Sequence, residues 1–122
     1  MNISLDQLST FGREVFRQAG LNQANAIIAT DALVAADSWG IHTHGLKNLD
    51  GYLKRLNAGG INPLGQARVT AEGPAWARVD GGASLGMIGS TFAMRQAIRK
   101  AAVSGIGFAG LCNSCHFGAA GC

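Results

Sequence analysis

The sequence predicts a mixed α/β layer structure, and three observations carry that expectation. Residues 1–60 hold three runs whose apolar residues recur at helical spacing. Two short stretches with apolar residues at alternate positions follow, and a further helical run then leads into the brief apolar stretch "IGFAGL". The resulting order is α-α-α-β-β-α-β, a three-helix segment followed by a mixed sheet with helices.

Each element has its own punctuation. Ser4 and Gln7 form a capping-box pattern for the first helix, Leu5, Leu8, Val15 and Ala19 supply its apolar face, and Gly20 stops it. Asn22 caps a second run in which Ile27, Ile28, Val34 and Ala35 adjoin an acidic edge at Asp31, ending at Gly40. The third carries Leu46, Leu49, Leu53 and Leu56 on one face and stops at Gly59-Gly60. "INPLG" is a turn, "QARVTAE" and "AWARVD" alternate around Gly73-Pro74 as an antiparallel pair, and a helix through Leu85, Ile88, Phe92 and Ala102 ends at Gly105. "IGFAGL" then suits a buried strand. Residues 1–122 are expected to form one domain, helical over 1–60, with the sheet region beginning at 61. A parallel-type sheet that ends on a glycine-rich turn lacks its next element, so the chain is expected to be the front of a larger protein.

Composition narrows the function. Hydrophobic residues make up 48% of the chain and charged ones 14%, which favours a buried core over disorder. The net charge of +3 is scattered rather than clustered, which speaks against nucleic-acid binding. No basic leader with an apolar core opens the chain and no apolar run nears the roughly 20 residues that span a bilayer, so neither export nor membrane insertion is expected. Cys112, Cys115 and Cys122 cannot build a disulfide framework and fit a reducing cytoplasm.

Two motifs compete for attention near the end. Gly105-Ile106-Gly107-Phe108-Ala109-Gly110 matches G-x-G-x-x-G, but a dinucleotide fingerprint follows a strand and opens a helix, whereas here the order is reversed. A helix-stopping glycine and a tightly packed strand explain it instead. Cys112-Asn113-Ser114-Cys115-His116 matches the C-x-x-C-H of covalent haem attachment and half of many zinc sites. Haem attachment belongs to exported chains, and zinc requires further ligands at a spacing that neither His42 nor His44 provides; Cys122 is a poor third thiolate.

Two histidine stretches remain as candidate sites. His116 follows an apolar strand within the small-residue loop "HFGAAG", where backbone approaches a ligand closely, and an acid/base role stands beside that of an ordinary polar residue. In "GIHTHGLKNLDGYLKRL", His42 and His44 flank Thr43 at the expected mouth of the third helix, where free N–H groups favour an anion. Asn48 and Tyr52 follow His44 at i+4 and i+8, which on a helix is one face; a solvated capping turn is the alternative.

On these residues the chain resembles the malate/L-lactate dehydrogenase family of the non-Rossmann type, which includes ureidoglycolate, sulfolactate and diketogulonate reductases. The matching positions are Ala36-Asp37, Gly40, Thr43-His44-Gly45, Tyr52, Arg55-Leu56, Gly59-Gly60, Ile61-Asn62-Pro63, Val79-Asp80-Gly81, Leu85-Gly86, Ser114 and His116-Phe117-Gly118-Ala119-Ala120-Gly121. The resemblance implies hydride transfer between NAD or NADP and a 2-hydroxy or 2-oxo acid, with His116 and His44 as catalytic residues. It implies Thr43, His44, Asn48 and Tyr52 at the substrate, the cofactor along Gly118, Ala119 and Gly121, no metal, and a homodimer of the full-length enzyme. Cys112 and Cys115 become incidental small apolar residues beside His116.

Two departures qualify the match. Asn48 stands where the family carries Arg, and an amide cannot fork two charged N–H bonds onto a carboxylate, so a less acidic or amide-like substrate tail, or weaker binding, is expected. The chain also stops where the family continues with a catalytic lysine and most of its cofactor pocket, so 122 residues alone are expected to be inactive. A truncated remnant or self-associating interaction module is the alternative reading, and a thiol-metal protein the third.

Overall fold

The computed structural model describes the chain from Ile3 to Gly121. In chain order come α1 (Leu5–Gln18), α2 (Gln23–Ser38), two short 3-10 turns (His42–His44 and Leu46–Asn48), α3 (Leu49–Asn57), β1 (Arg68–Glu72), β2 (Trp76–Asp80), α4 (Gly86–Ser104) and β3 (Phe108–Cys112). These form two compact units, one built from the residues up to Leu64 together with the segment from Gly118, the other from Gly65–Phe117.

In the first unit, α1 starts at the expected capping box: the Ser4 hydroxyl accepts from the Gln7 N–H at 3.1 Å, and the Ser4 N–H donates to Gln7 Oε1 at 2.9 Å. Its buried face differs from the expected one. Leu5 is exposed, while Phe16 and Gly12 are buried, because α1 meets α2 along the Gly12 side. A Cβ at Gly12 would lie 2.7 Å from Thr30 Cγ2, so glycine sets how closely the two helices approach. Asn22 caps α2 as expected, accepting from the Asn25 N–H at 2.9 Å. Ala26, Ala29, Leu33 and Ala36 form its fully buried stripe. The third helix is shorter than its apolar pattern: it begins only at Leu49, and Leu46 is buried from a 3-10 turn instead. An apolar residue at the right interval thus reaches the same core without a continuous helix.

In the second unit, β1 and β2 pair antiparallel with a bulge between Val69 and Ala71, and β3 runs parallel to β2 in the order β1-β2-β3. Leu85 and Met87 at the start of α4, with Val79 and Ala77 of β2, make the core between helix and sheet. Helix α4 ends where expected, at Gly105 with a left-handed φ of 77°. The G-x-G-x-x-G does follow a helix and open a strand. Its middle glycine is steric: a Cβ on Gly107 would fall onto the Ala97 carbonyl and the Ala101 nitrogen of α4. Among the described residues β3 is the outer strand of the sheet, half-buried at its centre rather than buried, with Phe108 exposed. Small residues in "IGFAGL" allow its close approach to α4. A shallow groove of about 320 Å³ runs between α4 and β3, lined chiefly by Ala93, Met94, Ala97, Phe108 and Leu111.

Candidate active site

The His44 segment is organised around Asp37, the penultimate residue of α2. Its carboxylate is 14% exposed; one oxygen accepts from the Leu46 N–H at 2.8 Å, and the other lies 3.1 Å from His42 Nδ1. A Cβ on Gly45 would land on this carboxylate, which explains the glycine. Three further turn amides are engaged, His44 N–H to the Ile41 carbonyl at 2.9 Å, Gly45 N–H to His42 at 3.3 Å and Asn48 N–H to Gly45 at 3.1 Å. One of the donors at this turn, the Leu46 N–H, is thus taken by Asp37 from within the chain.

Because α3 starts at Leu49, His44 does not stand on it, and the i+4, i+8 argument linking it to Asn48 and Tyr52 fails. The structure joins three of these residues differently. The Thr43 hydroxyl and His44 Nδ1 share a hydrogen bond of 3.0 Å, and the Asn48 amide donates to the Thr43 carbonyl at 2.6 Å. Asn48 is thus a staple of the turn that carries His44, a role which its mismatch with the family pattern did not suggest. Tyr52 is buried on α3.

His116 lies beyond the C-terminal end of β3 and is exposed, its ring stacked on Phe117 with centroids 6.1 Å apart and planes at 18°. The path to it is tightly specified. The Gly81 N–H donates to the Cys112 carbonyl at 2.8 Å, the Ala83 N–H to the Asn113 carbonyl at 2.9 Å, and the Asn113 amide to Asp80 Oδ1 at 2.8 Å. Ser114 turns inward, its Oγ buried without a hydrogen-bond partner. Its Cβ would lie 2.9 Å from a Cβ on Gly81, and its Oγ 3.1 Å from one on Gly89. A Cβ on Gly86 would collide with the carbonyls of Cys115 and His116.

Of the two cysteines expected to be incidental, Cys115 makes a specific contact. Cys112 is exposed and Cys115 half-buried, and Cys115 Sγ accepts from the Gly86 N–H, the first of α4, at 3.3 Å. That contact ties the residue before His116 to a helix that has no side-chain cap. Among the described residues no group of three His, Cys, Asp or Glu side chains could hold a metal ion; Cys122 lies outside them. No described helix is long and apolar enough to cross a membrane.

In the small-residue segment, Gly118 and Gly121 have φ of 90° and 107°, which side-chain-bearing residues rarely adopt. Ala119 is 6% exposed, so its methyl is packed away, and a Cβ on Gly121 would meet nothing within 4 Å. Gly118 and Ala119 are buried, while Ala120 and Gly121 are exposed.

The chain is similar to known proteins along almost its whole length. The profile of the malate/L-lactate dehydrogenase family matches residues 3–122. Malate dehydrogenase of Pyrococcus horikoshii is 36% identical over 99% of this chain and 34% of its own length. Ureidoglycolate dehydrogenase (NAD(+)) of Escherichia coli K12 is 31% identical over 98% of this chain and 34% of its own. The solved structure of sulfolactate dehydrogenase from Methanocaldococcus jannaschii superposes with a TM-score of 0.96 at 33% identity, covering 99% of this chain and 35% of that one. The chain spans about a third of the length of these relatives. It belongs to the malate/L-lactate dehydrogenase family.

Proposed function

We propose that the chain forms the front part of an NAD(P)-dependent oxidoreductase that moves a hydride between the nicotinamide and the second carbon of a 2-hydroxy or 2-oxo acid. The observation that carries this reading is the exposed His116, set at the C-terminal end of β3 by contacts from two other elements, within a chain whose relatives are dehydrogenases of hydroxy acids. The bound nicotinamide supplies or accepts the hydride, and the Gly118–Gly121 segment, with its left-handed glycines and packed Ala119, suits part of its seat. His116 donates a proton to the substrate carbonyl oxygen in reduction and takes it back in oxidation, a task matched to an imidazole near neutral pH. His44, oriented by the Thr43 hydroxyl, binds the polar head of the acid together with Thr43, Asn48 and Tyr52. The active form is a homodimer of a longer chain, acting in a reducing compartment.

The deciding experiment replaces His116 by Ala in the native gene product and measures turnover with malate, lactate and sulfolactate. A loss of kcat of about 10²–10⁴-fold is expected for removal of a general acid/base. Turnover within a few-fold of the parent would overturn the assignment.

A further inference from the structure

We infer that Asp80 is a positioning residue for His116, acting through the side chain of Asn113. The inference rests on the acid/base role proposed above for His116. Asp80 ends β2, and its side chain is 18% exposed. Its Oδ1 accepts two hydrogen bonds, from the Gly82 N–H at 2.9 Å and from the Asn113 amide at 2.8 Å, while Oδ2 meets Arg68 at 3.2 Å. One oxygen thus joins the start of the connection from β2 to α4 to the segment that leads from β3 to His116, across a separation of 33 residues.

Asn113 is the hinge of that segment. It has a left-handed φ of 51°, a region that asparagine tolerates better than most side chains, and it stands three residues before His116. Carbonyls at and just before it are also held by the Asp80 side of the molecule, through the Gly81 and Ala83 N–H groups. Without the carboxylate, the Asn113 amide loses the acceptor that fixes its side chain. The backbone bonds and the Gly86–Cys115 contact then hold the turn on which the direction of His116 depends.

The carboxylate is held below the usual carboxylate range, first by the Gly82 N–H, then by the Asn113 amide, and last by Arg68. A depressed value means that the linkage is intact above the ordinary carboxylate pKa of about 3.9 and is lost only as pH falls through the lower folded value. Asp80 is therefore a constant fixture of the site at neutral pH. Arg68 sits at the exposed end of its ion pair, with a side chain 75% exposed, and contributes little to the arrangement.

The test compares Asp80→Ala, Asn113→Gly and Arg68→Ala in the native gene product, each alone and with His116→Ala, using malate as substrate. Asn113→Gly keeps a left-handed backbone accessible and deletes only the amide, so it decides the matter even where Asp80→Ala folds poorly. Both loop variants are expected to lower kcat roughly 10–100-fold, the scale of a small misplacement of a catalytic group, with KM for malate within about twofold. Arg68→Ala is expected to leave kcat unchanged. In the His116→Ala background the loop changes should cause no further loss, because their effect passes through that imidazole. Asn113→Gly with normal kcat, or with an equal further loss on top of His116→Ala, would overturn the inference while leaving His116 its role. Normal turnover in His116→Ala alone would instead remove the reading on which both rest.

Discussion

The two histidine segments are held in opposite ways. His44 sits on a turn secured from nearby in the chain: Asp37 reaches Leu46 across nine residues and Asn48 reaches Thr43 across five. The approach to His116 is secured from far away: Asp80 reaches Asn113 across 33 residues and the Gly86 N–H reaches Cys115 across 29. Local fastening can form as soon as α2 ends, whereas long-range fastening needs β2, β3 and α4 already in place. Substitutions that disturb the docking of α4 on β3 should therefore reach His116, and substitutions around Asp37 should act on the His44 turn alone.

The largest effect is expected at Gly107. A methyl there meets the backbone of α4 at Ala97 and Ala101, which cannot rotate away as a side chain can. Gly107→Ala should cost about 3 kcal/mol, the upper range for overpacking, and denaturant unfolding should show it as a lowered midpoint. An unchanged midpoint would mean that β3 can shift from α4 freely, and that the long-range fastening is looser than its hydrogen bonds suggest. Next come the paired glycines of the two segments. Gly86→Ala presses on the carbonyls of Cys115 and His116, while Gly45→Ala presses on the Asp37 side chain. Backbone yields less readily than a carboxylate, so Gly86→Ala should destabilise more and lower kcat as well. A larger loss of midpoint from Gly45→Ala would reverse the comparison.

The same contrast decides what was legible in the sequence. Caps, stops and the β1–β2 alternation are local, and Ser4, Asn22, Gly40, Gly59 and Gly105 mark them in the letters themselves. The start of α3 is not legible, because Leu46 keeps the apolar spacing of the helix that follows while lying in a 3-10 turn. Its burial satisfies the pattern, and pattern reading cannot tell the two apart. The apolar run "IGFAGL" marks a strand but not its burial, because small apolar residues fit a half-buried strand pressed against a helix as well as a fully buried one. At the sites, both histidines stood out, but the carboxylates that hold their segments did not. Asp37 and Asp80 stand out in the letters only as parts of a family pattern, although Asp-Gly-Gly at 80–82 carries the signature of a turn whose side chain accepts a backbone N–H two residues on.

A further test sharpens the local half of the comparison. Asp37→Ala leaves the Leu46 N–H without its acceptor and should cost about 1–3 kcal/mol, with faster amide exchange at Leu46 as the direct readout. Exchange as slow as in the parent would show the turn to be self-supporting. Asn48→Arg probes the neighbouring contact. Arginine restores a fork for a carboxylate but deletes the staple to Thr43, so a gain for dicarboxylic over amide-tailed 2-oxo acids should come with a less ordered turn. Unchanged preference across such a panel would remove position 48 from substrate selection.

The smallest effect is expected from a carboxylate that is neither local nor enclosed. Glu72 ends β1 and accepts from Lys100 of α4 at 2.9 Å, but its side chain is 55% exposed, whereas that of Lys100 is only 13% exposed and also donates to the Gly73 carbonyl at 2.7 Å. Lys100 holds the Glu72 carboxyl below its ordinary value, so what the pair contributes is present above the ordinary carboxylate pKa and fades as pH falls through the lowered one. Glu72→Gln should therefore lower the unfolding midpoint slightly at pH 7, less in high salt, and not at all in strong acid. Lys100→Met should cost more than Glu72→Gln, since it also strips the Gly73 carbonyl of a partner. Equal losses from the two substitutions would place the weight on the exposed ion pair, and would show that distance in sequence, rather than enclosure, governs what these carboxylates contribute.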